Sequence, residues 1–400
     1  MNNNTTREIV SQIASTIDIP ESAYEKAEKR YKDLADWFGR LEGQCAKYNP
    51  HIYPQGSFRL GTVIRPLNED DRYDLDFGCR LRSGITKATH TQKELKRLVG
   101  LDMEEYRKAR QIEDKLDERH RCWRLNYADE VGFHMDGVPS IPEMEAQRSL
   151  LLEAMVKSGS AEVLAHNVIK HAGSITDKRN DNYETISANW RISNSEGYAL
   201  WFESRMRLAM PLLEKRALEA RAAKVDDLPA RKWKSPLQLC VQILKRHRDV
   251  MFADDADGKP ISIIITTLAG KAYQGEQEID DALKRILTDM DAHINKVNPR
   301  VPNPVNPVED FADKWGDSKY QQHNLEGKFR QWLTQARQDF KVIESTRDAN
   351  SLVEQIQAKF ASALDADELE KRCGFVVAPA VVTSKKYTIT EAPAKPWKNK

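Results

Sequence analysis

Three aspartates and one turn have the types and spacing that could do chemistry. In Tyr73-Asp74-Leu75-Asp76 the two carboxylates stand two residues apart. On a β-strand, residues i and i+2 share a face, so both would project together. Like charges held that close are costly unless a cation neutralises them, and a hard divalent ion such as Mg²⁺ is the natural partner. Upstream, Gln55-Gly56-Ser57 reads as a Gly-Ser turn that can bring backbone N–H groups and a hydroxyl to phosphate oxygens. Downstream, Phe133-His134-Met135-Asp136 reads as a strand with Phe133 and Met135 toward the core, which leaves His134 and Asp136 on the solvent-facing side. A triphosphate cradle, two metal-binding carboxylates and a third that helps activate a hydroxyl are the parts that metal-dependent nucleotidyl transfer needs. Each part alone is bland: a Gly-Ser pair is usually just a turn, and spaced aspartates on an exposed strand are usually solvated charge. Their order along the chain carries the reading.

The elements that must position these residues follow from the periodicity. Residues 7–47 read as helical: Ile9, Ile13 and Ile17 recur every fourth residue, Pro20 interrupts, and a second helix from Ala23 to Tyr48 would be about 35–40 Å long, enough to run along two lobes. Strand patterning follows from Ile52 to Leu81, then a charged helix over 87–120. Cys122–Tyr127 and Gly132–Val138 look like a strand pair, closed by Pro139-Ser140-Ile141-Pro142. The stretch 158–190 is polar and weakly patterned, as a surface loop would be. From Gly197 the chain turns helical over 197–223, 235–253, 260–273, 276–296, 318–343 and 349–371. The expected division is a helical brace (1–48), a catalytic core (49–185), a helical lobe (186–372) and a partly disordered tail (373–400).

Four hundred residues with 40% hydrophobic content are ample for a core and suggest two lobes. Charged residues make up 31% of the chain and nearly cancel, at +1, so polyanion binding must come from a local patch. The most basic stretch, Arg231-Lys232-Trp233-Lys234 with Lys245-Arg246-His247-Arg248, is the candidate; a solvated helix face is its plainer reading. Five widely spaced cysteines without a CxxC pair argue against a disulfide framework and a structural zinc site, and fit reduced thiols in a cytosol. With no apolar leader and no bilayer-length apolar run, the expectation is a cytoplasmic protein with no membrane partner.

The order of these elements resembles the DNA polymerase β-like nucleotidyltransferase superfamily and, within it, the bacterial cGAS/DncV-like nucleotidyltransferases, the cyclic-oligonucleotide synthases of antiphage signalling. The match runs from Tyr53-Pro54-Gln55-Gly56-Ser57-Phe58-Arg59-Leu60-Gly61-Thr62 through Tyr73-Asp74-Leu75-Asp76 and Phe133–Pro142. It continues through Ile192–Phe202, Leu237–Asp249 and Ser262–Ala269, and the Asn306–Trp315 stretch is similar to the family as well. The resemblance implies an α+β fold: a polymerase β-like core with a mixed twisted sheet, a C-terminal helical lobe and a long N-terminal bracing helix. It makes Gln55, Gly56 and Ser57 the phosphate turn, Asp74, Asp76 and Asp136 the catalytic and metal-binding carboxylates, and Lys245 and Ser262 donor-triphosphate contacts from the second lobe. Lys245 also lies on an apolar-periodic helix (Leu237, Val241, Leu244), where a lysine can act as a point charge on phosphate; a surface lysine is the plainer alternative.

The implied cofactor is a pair of Mg²⁺ ions, with Mn²⁺ as a substitute. The implied substrates are NTPs, ATP or GTP among them, joined into a cyclic di- or trinucleotide by a monomeric enzyme whose diffusible product reaches a separate effector. In some relatives a ubiquitin-like system conjugates the tail; Trp397-Lys398-Asn399-Lys400 lacks the small terminal residue expected for that. Two rivals predict other outcomes: a template-independent nucleotidyltransferase acting on RNA or protein, and a catalytically silent nucleic-acid-binding or scaffold relative.

Overall fold

Ile9, Val10, Ile13, Ala14 and Ile17 form one apolar stripe on α1 (Asn3–Ile17), and all five are buried. They pack among the C-terminal helices, not against the sheet. Pro20 ends that run and starts α2 (Glu21–Phe38), whose Ala27, Tyr31, Leu34 and Phe38 join the core of the sheet instead. The break expected at Pro20 is present, but the second helix does not run along both lobes: each helix serves one core. The second helix stops at Gly39, well short of Tyr48, because the Asp102 carboxylate accepts the backbone N–H groups of Gln44 and Cys45 and folds the chain into turns. The computed structural model describes residues 3–68, 71–127, 132–209 and 234–373.

The sheet runs in the order β1 (Pro50–Pro54), β2 (Tyr73–Leu81), β5 (Phe133–Pro142), β4 (Trp123–Tyr127), β3 (Asp117–Glu118). β2 and β5 are parallel, and the other pairs in that order are antiparallel. The far end of β5 also pairs with β6 (Gly173–Ile175), which pairs with β7 (Arg191–Ser193). Pro139 therefore lies within a ten-residue strand, and Pro142 is its last residue. The stretch expected to be a loop over 158–190 holds α6 (Glu162–Ile169) and β6, both too short to register as a period in sequence. Between β1 and β2 comes the one-turn α3 (Gly56–Leu60), and α4 (Gln92–Ala109) covers the back of the sheet, its start fixed by a Thr91–Glu94 capping box. α5 (Glu145–Lys157) leads from the sheet toward the second core, to which its Met155 belongs.

That second core is helical: α7 (Ser195–Met206), α8 (Pro236–Met251), α9 (Ser262–Ala272), α10 (Ile279–Asp289), α11 (Leu325–Ser345) and α12 (Ala349–Phe360) share buried residues such as Phe202, Leu244, Tyr273, Trp332 and Phe360. α8 begins on a Ser235–Gln238 capping box with proline in its first turn. The helix expected over 349–371 is two, because Ala361 takes a left-handed conformation (φ 46°) between α12 and α13 (Ala366–Cys373). Of the expected helix 197–223 only the first part is described; residues 210–223 and the tail 374–400 lie outside the described residues. No described helix is long and apolar enough to cross a membrane.

Candidate active site

Register places the carboxylates. β2 and β5 run parallel with Asp76 opposite Asp136 and Asp74 opposite His134. Across the hairpin from β5 to β4, Asp136 faces Arg124 and His134 faces Asn126. Two rows therefore cross one face of the sheet, Asp76–Asp136–Arg124 and Asp74–His134–Asn126, while Leu75, Phe133 and Met135 point into the core on the other face. The alternation read from sequence holds at each of these positions.

Burial, reinforced by Asp136 and Asp74, pushes Asp76 up to about 7, against the opposing pull of Arg124 and Lys245. Asp74 is more open, its side chain 64% exposed, yet the surrounding walls raise it as well. Such a group of carboxylates is short of positive charge, and its all-oxygen donor set suits a hard divalent cation. Among the described residues, no cluster of three or more histidine, cysteine or acidic side chains stands ready to grip a metal. Both oxygens of Asp136 are already engaged: Arg124 donates to it through Nε and a terminal nitrogen, each at 2.7 Å. His134 shares a hydrogen bond with Asn126 at 2.6 Å, and burial lowers its pKa.

The Gly-Ser turn is built against the same row. Gln55 donates its backbone N–H to the Asp76 carbonyl at 2.9 Å, and its side chain reaches the Phe77 carbonyl. Gly56 takes φ +66°, and a Cβ there would lie 2.2 Å from an Asp76 carboxylate oxygen, so only glycine fits on two counts. Ser57 follows in the first turn of α3, its carbonyl accepting from Thr62 N–H at 2.9 Å. Arg59, two residues on, is buried and paired with Glu203 of α7 at 2.5 Å.

The second wall is α8. Lys245, Arg246, His247 and Arg248 are all buried, so this part of the basic stretch is not a solvated face; residues 231–233 lie outside the described residues. Burial, with Arg248 nearby, lowers Lys245 to about 7, and Asp74 counts among the charges acting on it. Its ammonium donates to the Thr62 carbonyl at 2.7 Å. Ser262 at the head of α9 accepts from Arg248 at 2.8 Å, which ties it to the Lys245 wall; no contact links it to the carboxylates. His247 hydrogen-bonds Asp339 at 3.0 Å, and Tyr198, Trp201 and Phe202 are core. A groove of about 430 Å³ elsewhere, floored by Val10, Leu283, Leu287 and Phe340, holds none of these residues.

Sequence reasoning missed two things. Arg124 was legible by counting outward along the hairpin from the Tyr127–Phe133 pair. Gln238, Gln242, Lys245 and Arg246 form a polar stripe at i, i+4, i+7 and i+8 of α8 and donate to the carbonyls of Leu60, Val63, Thr62 and Arg65 at 2.9, 2.6, 2.7 and 2.6 Å. The helical lobe thereby holds the segment that follows the Gly-Ser turn.

The nucleotidyltransferase domain model of cyclic GMP-AMP synthase DncV-like proteins matches residues 50–140. A c-di-GMP synthase of Roseivirga ehrenbergii is 30% identical over 304 residues, 74% of this chain and 67% of that protein. A cyclic dinucleotide synthase, CdnG, of Bradyrhizobium diazoefficiens is 28% identical over 334 residues, 78% of this chain and 71% of that one. The structure of Bradyrhizobium diazoefficiens CdnG in complex with GTP has the same fold: TM-score 0.62 at 22% identity, covering 92% of this chain and 96% of that one.

Proposed function

This chain belongs to the DncV-like nucleotidyltransferases, enzymes that make cyclic oligonucleotides, and from that premise we propose that it joins two nucleoside triphosphates into a cyclic dinucleotide messenger, with GTP among its substrates. The names of its two relatives, a c-di-GMP synthase and a cyclic dinucleotide synthase, support the ring size and the guanine base. The messenger would act in antiphage defence through a separate effector.

One observation carries the reading: Asp76 lies in register beside Asp136, with Asp74 two residues earlier on the same face and Lys245 within electrostatic reach of Asp74 and Asp76. Asp74, Asp76 and Asp136 would hold two Mg²⁺ ions, which when bound lower the pKa of the attacking ribose hydroxyl and neutralise charge on the phosphates. The remaining work falls to the chain itself. Ser57 and the Gly56 turn hold the triphosphate from the sheet side; Lys245, as a point charge, and Ser262 hold it from the helical side. Held so, the α-phosphate is presented in line to the acceptor hydroxyl, a new phosphodiester forms, and pyrophosphate leaves. A second transfer in the same cleft closes the ring.

The test is synthesis. Purified protein is incubated with α-labelled NTPs and Mg²⁺, treated with phosphatase, and its products are identified by chromatography and mass spectrometry. A phosphatase-resistant cyclic dinucleotide is expected from the wild type and none from the Asp74→Asn/Asp76→Asn double variant, which should still fold. A double variant as active as wild type overturns the site, and label on RNA or protein overturns the product.

A further inference from the structure

Arg124 stands where the site would otherwise need a cation. It lies on β4 directly across from Asp136, whose two oxygens it forks, and a terminal nitrogen also lies 3.7 Å from an Asp74 oxygen. The next residue outward in its row, Asp117, is occupied by Arg119 at 2.7 Å, so Arg124 faces inward only. The guanidinium takes a lone pair on each Asp136 oxygen and sets a positive charge beside both, so it competes with a metal ion for this carboxylate.

The pair is also built to open. Elsewhere this chain buries ion pairs it keeps: the side chains of Lys87 and Glu143 are 7% and 0% exposed, Lys87 donates to both Glu143 oxygens, and Ser174 donates to one of them as well. Arg124 and Asp136 are 24% and 15% exposed at the mouth of the cleft. Parting them returns a guanidinium to water instead of stranding it in the core, and that is the cheaper separation.

We infer that Arg124 is an exchangeable counter-ion, a positioning residue that holds Asp136 until the nucleotide brings its metal; the inference rests on the nucleotidyltransferase reading of the site. Before substrate arrives, the guanidinium keeps three neighbouring carboxylates from repelling one another and keeps free divalent cations off Asp136. The triphosphate supplies the added negative charge that tips the exchange. Released from Asp136, the fork can move to phosphate oxygens, which it matches in geometry. Metal loading is thereby coupled to nucleotide loading.

Mn²⁺ titration of the full chain without nucleotide, followed by electron paramagnetic resonance, tests this. Arg124→Gln should bind Mn²⁺ about tenfold more tightly than wild type, as removal of a charge-assisted competitor predicts. Adding Asp136→Asn should abolish that gain, and Arg124→Lys, which keeps the charge without the fork, should fall between and serves if Arg124→Gln folds poorly. A residue that merely supported the strand would, when replaced, weaken metal binding. Affinity that falls in Asp76→Asn but is unchanged or weaker in Arg124→Gln overturns the counter-ion role alone. Affinity untouched by Asp76→Asn overturns the site reading, and the counter-ion role with it.

Discussion

Asp76 is harder to ionise than an isolated carboxylate because it is buried beside two others, and the glycine under it sets how close the Gly-Ser turn can come. Gly56→Ala would place a methyl group against that carboxylate and strain a left-handed backbone, at a cost of about 1–2 kcal/mol. Synthesis should fall at least about 100-fold, because displacement by an ångström at a reacting centre costs that much. Single-turnover rates beside a urea unfolding curve check both parts. Lys245 carries a pH signature of its own. Its pKa falls from 10.5 in the unfolded chain to about 7 in the fold, so burying its charge costs stability at and below neutrality, and that cost fades as pH rises from 7 toward 10.5. Wild type should therefore gain on Lys245→Met in urea unfolding between pH 7 and 9.5. The same variant should bind NTP more weakly, and wild type should take up a proton when it binds NTP near pH 8, measurable by calorimetry in two buffers.

At the scale of elements, α8 works as a template for the segment 60–65, whose carbonyls its polar stripe fills. Gln242 also donates to the carboxylate of Asp18, just beyond α1, at 3.1 Å, so one side chain links three stretches of the chain. Gln242→Leu should destabilise the fold by about 1–3 kcal/mol, because the Val63 carbonyl loses its partner in a buried place. It should also raise KM for NTP more than it lowers kcat, since the turn shifts while the carboxylates stay. Much of this level was legible in the sequence. The alternation around Asp74, Asp76 and Asp136 showed which face they share, because a strand's period is two and each register position follows from the last. The stripe on α8 was harder to read, because Gln238 and Gln242 sit in an apolar run and their partners lie about 180 residues away. The partner of Arg59 was hidden for a related reason: nothing in the local sequence announces Glu203, 144 residues on. Local periods give faces, and long-range partners appear only once the lobes are packed.

Across the whole molecule, two buried ion pairs join the lobes. Arg59 beside the Gly-Ser turn meets Glu203 of α7, and Arg80 of β2 meets Glu196 of the same helix at 2.6 Å. Burial opposes the charge on Glu196, but hydrogen bonds from His171 and His51, with the charge of Arg80, hold it well below the usual carboxylate range. Removing one member of such a pair strands the other: Arg59→Met should cost about 3–5 kcal/mol, and adding Glu203→Gln should recover much of it. Denaturant unfolding of the two single variants and the double variant checks the coupling. The break at Pro20 has a different consequence, in time and not in energy. α1 leaves the ribosome well before α8 and α10, whose core it enters and which begin more than 200 residues later. While the sheet and α2 can begin to collapse, the stripe of Ile9, Val10, Ile13 and Ile17 must wait in water, an unpaired apolar surface of the kind that chaperones recognise. A helix made early is thus among the last to find its place, and the cleft is completed only when it does.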